Sequence, residues 1–592
     1  MKQKKQKNAQ VIAQILPQDD KKQKQTEIFL FFLLLAFGVY QAVIYWGHKV
    51  VPHPDFTGFT AIGRQILSFQ MPADFKRVPL LGILQISLGK ITGGPNPDFT
   101  GAWLLNSIAH SLTAVLLWLV GRKIIGRAAI WFAIIAIINP WGLQLLTEAI
   151  AETTLLFFIW ATLYLIFIRS KWAYLLAALT SMVRYEGAAL ILCAFVLDMI
   201  EAKDKKERIQ SFIFAAVASA PLLLWLAGTV FLEKGMGTTH YFKFFTKEYK
   251  QQFVGDVAAK TGFIKNADLL WQVGFYQLFL PSPGTGQDTA QSLMNLSKFF
   301  VLVSFLFGSV YGLLKRQWKI LVLLLFIVPY FWLHAKYPFL VPRYYATIFG
   351  IVLLICIYGL QSFWNLINEN LKIPQGIIIL LQSVLLMIAF IWAFALSGYL
   401  SRLAPMSKAS TSLPYVSILV VLAVLTACFL AHKNNVLKKV TVLMLMILII
   451  VSNQFVVAPL LGNGQGDIEF KFLADWYIQN AKSGEKLVCT MANLLESMAP
   501  QYTDYFIPID RFRDVNSPAE FVQECYRKNI TYVAWDSRIG LVPQDDYYKI
   551  WKMQNLAPLA AGRDVGPYQF ITQLKANERR YIYVYRLLYE KK

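Results

Sequence analysis

Apolar runs of about twenty residues recur over the first three quarters of the chain, separated by short polar segments. Such a run crosses a bilayer as a helix, and the pattern predicts about 13 spans, several of them short. The first, Glu27–Trp46, follows a Lys-rich stretch and is not followed by a small-residue cleavage site. It reads as a retained anchor, with residues 1–26 a basic tail. Basic clusters stand between runs at Gly121–Arg127, Arg169–Trp172, Ala202–Arg208, Lys315–Lys319 and His432–Lys439. Placing all of them in the cytosol, as the positive-inside rule expects, gives a self-consistent topology. The N-terminus is then cytosolic. The loops 47–100 and 233–297, the turns Trp141–Glu152, Arg184–Glu186 and Ala335–Arg343, and the C-terminal part all lie on the opposite side.

After Val456 the apolar runs shorten and charged residues become regular. KLVCT (486–490), ITYVAWD (530–536) and RRYIYVYRLLY (579–589) read as strands; residues 472–476 and 518–529 read as helices. The chain is thus a polytopic α-helical membrane protein with a C-terminal soluble α/β domain, divided as 27–456 and 457–592. That outer domain is expected to cap the membrane part or to bind an acceptor.

Composition supports this division. Of 592 residues 56% are hydrophobic and 16% charged, too apolar for an ordinary soluble enzyme. The net charge of +22 would suggest nucleic acid in a soluble protein. Here the Lys and Arg fill short loops between spans, so no nucleic acid partner is expected. The five cysteines show no metal-ligand spacing; Cys489 and Cys525 read as buried thiols or, in an oxidising compartment, as a pair.

Candidate chemistry concentrates between His53 and Leu80, a polar insert among oily segments that holds Asp55, Asp74, Lys76 and Arg77. It reads as the catalytic loop. The pentapeptide PDFTG occurs at Pro54–Gly58 and again at Pro97–Gly101. Both Asp residues precede helix-like segments, so a helix cap is the alternative role for Asp55. His53 stands two residues before Asp55, and His240 and His334 are assigned to outer loops. Too few carboxylates group for a Mg or Mn site, so no metal or other cofactor is expected, with a divalent ion left open. In the 233–297 loop, aromatics interleaved with Lys read as an interfacial helix with Trp271, Phe275 and Tyr276 at headgroup level.

The order of motifs resembles the GT-C membrane glycosyltransferases, in particular the branch of protein O-mannosyltransferases and lipid A aminoarabinose transferases. Asp55 followed by FTGFTAIGRQIL is similar to that family's Asp-Glu helix after the first span. Phe75–Leu80 (FKRVPL) is similar to its Lys/Arg-x-Pro-Leu motif, Asn139–Gly142 followed by Glu152 to its apolar Pro and later Glu, and Val183–Gly187 (VRYEG) to its Arg-x-Glu-Gly turn. Phe56 stands where the family often has the second acid, and Asp74 is the candidate to replace it.

The resemblance implies a GT-C-like fold and transfer of a hexose or pentose from a polyprenyl-phosphate donor to a lipid, glycan or protein acceptor outside the cytosol. Such a reaction needs a carboxylate base and cations for the departing phosphate, and a single displacement inverts the anomeric carbon. Asp55 suits the base. Lys76, Arg77, Arg184 and Arg343 suit the phosphate, with Asp74, Glu152, Glu186 and His53 in support; Glu186 reads as an ion-pair partner of Arg184. Each cation has an alternative as a snorkelling interface residue. The bacterial inner membrane is preferred over the endoplasmic reticulum. The rival activities are transport of a lipid-linked glycan, and ligation or polymerisation of lipid-linked oligosaccharide.

Overall fold

The computed structural model describes residues 24–72, 75, 77–94, 96–231, 263–271, 288–335, 341–371, 461, 464–512, 514–543, 548–549 and 551–589. Five helices among these are long and apolar enough to cross a membrane: Lys24–Ile44, Pro97–Ile137, Lys205–Gly228, Trp318–Ala335 and Pro342–Ile367. Pro140–Thr147 and Ala151–Phe167, bent by 118° at the break between them, make a sixth if counted together. Shorter apolar helices lie at Leu80–Thr92, Trp172–Val183 and Lys298–Leu314. The protein is an integral, multi-pass membrane protein. The spans expected within 372–456 and most of the 233–297 loop lie outside the described residues.

Helix α1 (Lys24–Ile44) leads into the polar insert, which forms α2 (Phe56–Leu67) and α3 (Leu80–Thr92) before α4 (Pro97–Ile125). These helices approach at glycines. A Cβ at Gly82 would lie 1.9 Å from the Phe59 carbonyl oxygen, and one at Gly101 would lie 2.2 Å from that of Gln85. With no side chain in the way the backbones touch, and α2, α3 and α4 form one rigid layer.

The chain continues through α5 (Ala129–Ile137), α6 (Pro140–Thr147), α7 (Ala151–Phe167), α8 (Trp172–Val183), α9 (Ala189–Glu201) and α10 (Lys205–Phe231). Asn139 caps α6, its side chain accepting from the Gly142 N–H at 3.1 Å. Asn106 of α4 donates to the Glu148 carbonyl at 2.6 Å and to that of Leu146 at 3.3 Å, which ties the carbonyls at the α6–α7 break into the bundle. Next come α11 (Phe263–Trp271), α12 (Asp288–Leu314), α13 (Trp318–Ala335) and α14 (Pro342–Leu371). Trp271 is buried in the core of the helical bundle, with the Lys298 ammonium 5.7 Å from its ring; Phe275 and Tyr276 lie outside the described residues.

The last part forms a five-stranded sheet in the order β2-β1-β3-β5-β4. Its strands are β1 (Lys486–Cys489), β2 (Phe506–Pro508), β3 (Ile530–Asp536), β4 (Tyr568–Asn577) and β5 (Arg580–Leu587). The three on the β2 side are parallel, and β5 and β4 are antiparallel additions. Along β3, Val533 and Trp535 enter one core while Tyr532 and Ala534 enter the other, so both faces are covered and the strand reads as a continuous apolar run. One covering helix begins at Ile468, four residues before the expected start, and another spans Pro518–Arg527. Cys489 and Cys525 are free and buried.

Candidate active site

Asp55 precedes α2 but does not cap it: its side chain makes no cap hydrogen bond, which removes the capping alternative. The carboxylate is shared between two guanidinium groups instead. Arg77 Nη2 donates to Oδ1 and Arg343 Nη2 to Oδ2, each at 2.8 Å. The aspartate side chain keeps 33% of its surface exposed, so the pair of arginines does not seal it from a substrate. Burial opposes ionisation of Asp55, but Arg77, His53 and Arg343 together outweigh it and hold the carboxyl well below the usual carboxylate range.

Local packing fixes both arginines. Phe75 is buried, its ring 4.8 Å from that of Trp225, and its carbonyl accepts from Tyr185 Oη at 2.8 Å and Trp225 Nε1 at 3.2 Å. That anchors the segment leading to Arg77. The guanidinium then lies against Gly58, where a Cβ would come within 2.5 Å of Nε, and 4.5 Å from the centre of the Phe59 ring. Arg343 sits in the first turn of α14.

His53 joins the same group. Arg343 Nη1 donates to its Nε2 at 2.8 Å, and the Asp55 backbone N–H points at its Nδ1 from 3.0 Å. A neutral imidazole can accept at one nitrogen only, and a protonated ring at neither. Burial lowers the pKa of His53, Asp55 raises it and Arg343 lowers it again, leaving the ring below its ordinary value.

Behind Arg343 the network continues into the bundle. Arg343 Nε stands 3.3 Å from Glu152 Oε1, the oxygen that also accepts from Arg184 Nη1 at 2.8 Å. Arg184 makes a two-pronged bond to Glu186, at 2.8 and 3.2 Å, which is the ion pair expected for that turn. The Tyr344 ring lies under both guanidinium groups, 4.8 Å from Arg184 and 5.5 Å from Arg343. His334 is not in a loop, as its position near a polar turn suggested. It is buried in the last turn of α13, 3.3 Å from Glu186 and packed between the rings of Tyr330 and Tyr344.

The structure therefore brings together Asp55, Arg77, Arg343, His53, Glu152, Arg184 and Glu186 of the expected residues. Asp74, Lys76 and His240 lie outside the described residues. Sequence reasoning passed over Tyr344, and over Asn493, whose amide donates to the Pro54 carbonyl at 2.5 Å and ties the sheet domain to the loop beside Asp55. No local pattern marks either one. Among the described residues no three His, Cys, Asp or Glu side chains are grouped to hold a metal ion.

No family model matches the chain, and no curated protein matches its sequence. Solved structures do match its fold. ArnT from Cupriavidus metallidurans, bound to undecaprenyl phosphate, superposes with a TM-score of 0.55 at 12% identity over 93% of this chain and 97% of that one. The archaeal oligosaccharyltransferase AglB from Archaeoglobus fulgidus, in complex with an inhibitory peptide and a dolichol-phosphate, gives 0.50 at 13% identity over 93% and 74%. Both are GT-C glycosyltransferases. Membrane helices and terminal sheet domain together, the chain has the GT-C fold.

Proposed function

We propose that this protein is a membrane glycosyltransferase that moves a sugar from a polyprenyl-phosphate donor to an acceptor on the non-cytosolic side. The observation that carries the reading is the half-exposed Asp55 carboxylate held between Arg77 and Arg343. A carboxylate base and cations for a phosphate leaving group are the two things the reaction needs, and here they stand in contact. ArnT binds undecaprenyl phosphate and AglB dolichol-phosphate within the same fold.

In this mechanism Asp55 takes the proton of the acceptor nucleophile as it attacks the anomeric carbon. The bond from that carbon to the phosphate oxygen breaks, and its electron pair leaves with the phosphate, inverting the carbon. Arg77 and Arg343 neutralise the departing phosphate, with Lys76 and Asp74, which stand beside Arg77 in the sequence, in support. Without substrate the two arginines spend their charge on Asp55, which makes it a weak base. A donor phosphate competes for those guanidinium groups, and Asp55 recovers basicity when the phosphate is in place. Glu152 holds Arg343 from behind, Arg184 holds Glu152, and Glu186 holds Arg184.

Asp55→Asn tests the reading. The purified variant is expected to bind polyprenyl phosphate at least as well as the native protein, because its arginines are released. Its transfer from a lipid-linked sugar should fall by roughly 10²- to 10⁴-fold. Normal turnover would remove Asp55 as the base. Movement of the donor across liposomes without a new glycosidic bond would favour transport instead.

A further inference from the structure

A second site lies at the opposite end of α2. A groove of about 470 Å³ opens between the last turn of α2 and the turn joining α3 to α4, lined by Arg64, Ser68, Gly89, Lys90, Gly93 and Asp98 among others. Gly93 and Gly94 border open space, for a Cβ on either would meet nothing within 4 Å. Asp98 is paired with Arg64, and Lys90 is exposed, so the groove carries one net positive charge. It begins at the start of the 29-residue α4, whose N-cap Asn96 makes no side-chain cap hydrogen bond, and this adds partial positive charge.

Depth decides what such a groove meets. The far end of α4 carries Arg122 and Lys123, which mark one membrane surface. Roughly 20 helical residues cross the hydrocarbon, so the opposite boundary falls near Ala102 and the groove sits just beyond it, among headgroups. The surface around it is oily where a water-facing surface would be polar. Phe69 is 100% exposed, Ile91 78%, Met71 66% and Leu67 37%. Phe69 is also held at φ 55, the left-handed conformation that ends α2. There the Phe69 N–H bonds the Ile66 carbonyl and the Gln70 N–H that of Gln65. A glycine would close this turn without strain, yet the position holds a fully exposed aromatic ring. Strain and exposure together are offset when the ring enters lipid.

We infer that this groove binds the headgroup of an anionic glycerophospholipid of the surrounding leaflet. Lys90 and Arg64 receive the phosphodiester, and Leu67, Phe69, Met71 and Ile91 lie against the acyl chains. The site is separate from the Asp55 network and does not depend on the function proposed above. It gives the rigid α2–α3–α4 layer a fixed seat in the membrane.

Native mass spectrometry of the full-length protein, titrated with phosphatidylglycerol and in parallel with phosphatidylcholine, tests this. Phosphatidylglycerol should bind more tightly, and Lys90→Glu should weaken it by roughly fivefold or more, as expected for charges at a lipid surface, with an unchanged unfolding temperature. Phe69→Ser should weaken both lipids. Lys90→Gln provides the milder variant if charge reversal disturbs folding. Equal binding of the two lipids, undiminished phosphatidylglycerol binding by both Lys90 variants, or full displacement of the lipid by millimolar inorganic phosphate would overturn the proposal.

Discussion

Arg184 is enclosed by Glu152, Glu186 and the Tyr344 ring, and only 9% of its side chain reaches the surface. Ions in such a place are held by one another, and removing one partner leaves the others stranded. Arg184→Met is expected to cost about 3–5 kcal/mol, because two buried carboxylates lose their shared cation. A lowered unfolding temperature in detergent would show it; an unchanged one would mean that water or His334 replaces the guanidinium. This residue also shows what a sequence can reveal. Asp55, Arg184 and Arg343 stood out because ionisable groups are costly near oily segments. Their pairing did not, since Arg343 and Asp55 are 288 positions apart and nothing local links them. His334 was misplaced because one histidine at the end of an apolar run looks the same whether it faces water or a buried glutamate.

Elements were legible where their burial was uniform. Strand β3 was read to the residue, since a run covered on both faces has no alternative. Strand β4 was missed: it alternates between buried or half-buried and exposed positions and has polar Gln, Thr, Lys and Asn among its residues, so its apolar signal is diluted. The contacts of α2, α3 and α4 were equally invisible, because glycine in a helix looks like a weakness until a neighbouring backbone is seen against it. Gly82→Ala would drive a methyl group into the Phe59 carbonyl, and the two helices must separate. Overpacking of this kind costs about 1–3 kcal/mol or more. Because Asp55 immediately precedes α2, the expected result is a drop in transfer activity together with stability. A variant of native stability and activity would show that the layer is not rigid.

At the scale of the whole molecule, the sheet domain bears its own electrostatic load. Glu469 is fully buried, and no other side chain donates a hydrogen bond to its carboxylate. Burial raises its pKa and Asp467 adds to this, while a hydrogen bond from its own backbone N–H and the charges of Arg538 and Arg580 only partly oppose it. A carboxyl whose folded pKa is raised binds protons better when folded. Stability therefore falls as pH climbs from the unfolded value of about 4.3 to the raised folded value, and the deficit persists above it. Glu469→Gln removes the ionisable group, so its unfolding temperature should exceed that of the native protein by more at pH 8 than at pH 5. An equal difference at both would place the effect in packing rather than charge.

The hydrogen bond from Asn493 to Pro54 spans 439 positions. Gly464 likewise packs on His48, its carbonyl accepting from the Val50 N–H. The residues flanking Asp55 thus gain supports from a segment translated some 400 positions after them. A ribosome that has finished every membrane helix through α14 has not yet supplied that brace. On this geometry a chain stopped before residues 464–493 lacks that support for the Asp55 loop, so the proposed site is braced only after the helices through α14 have been made.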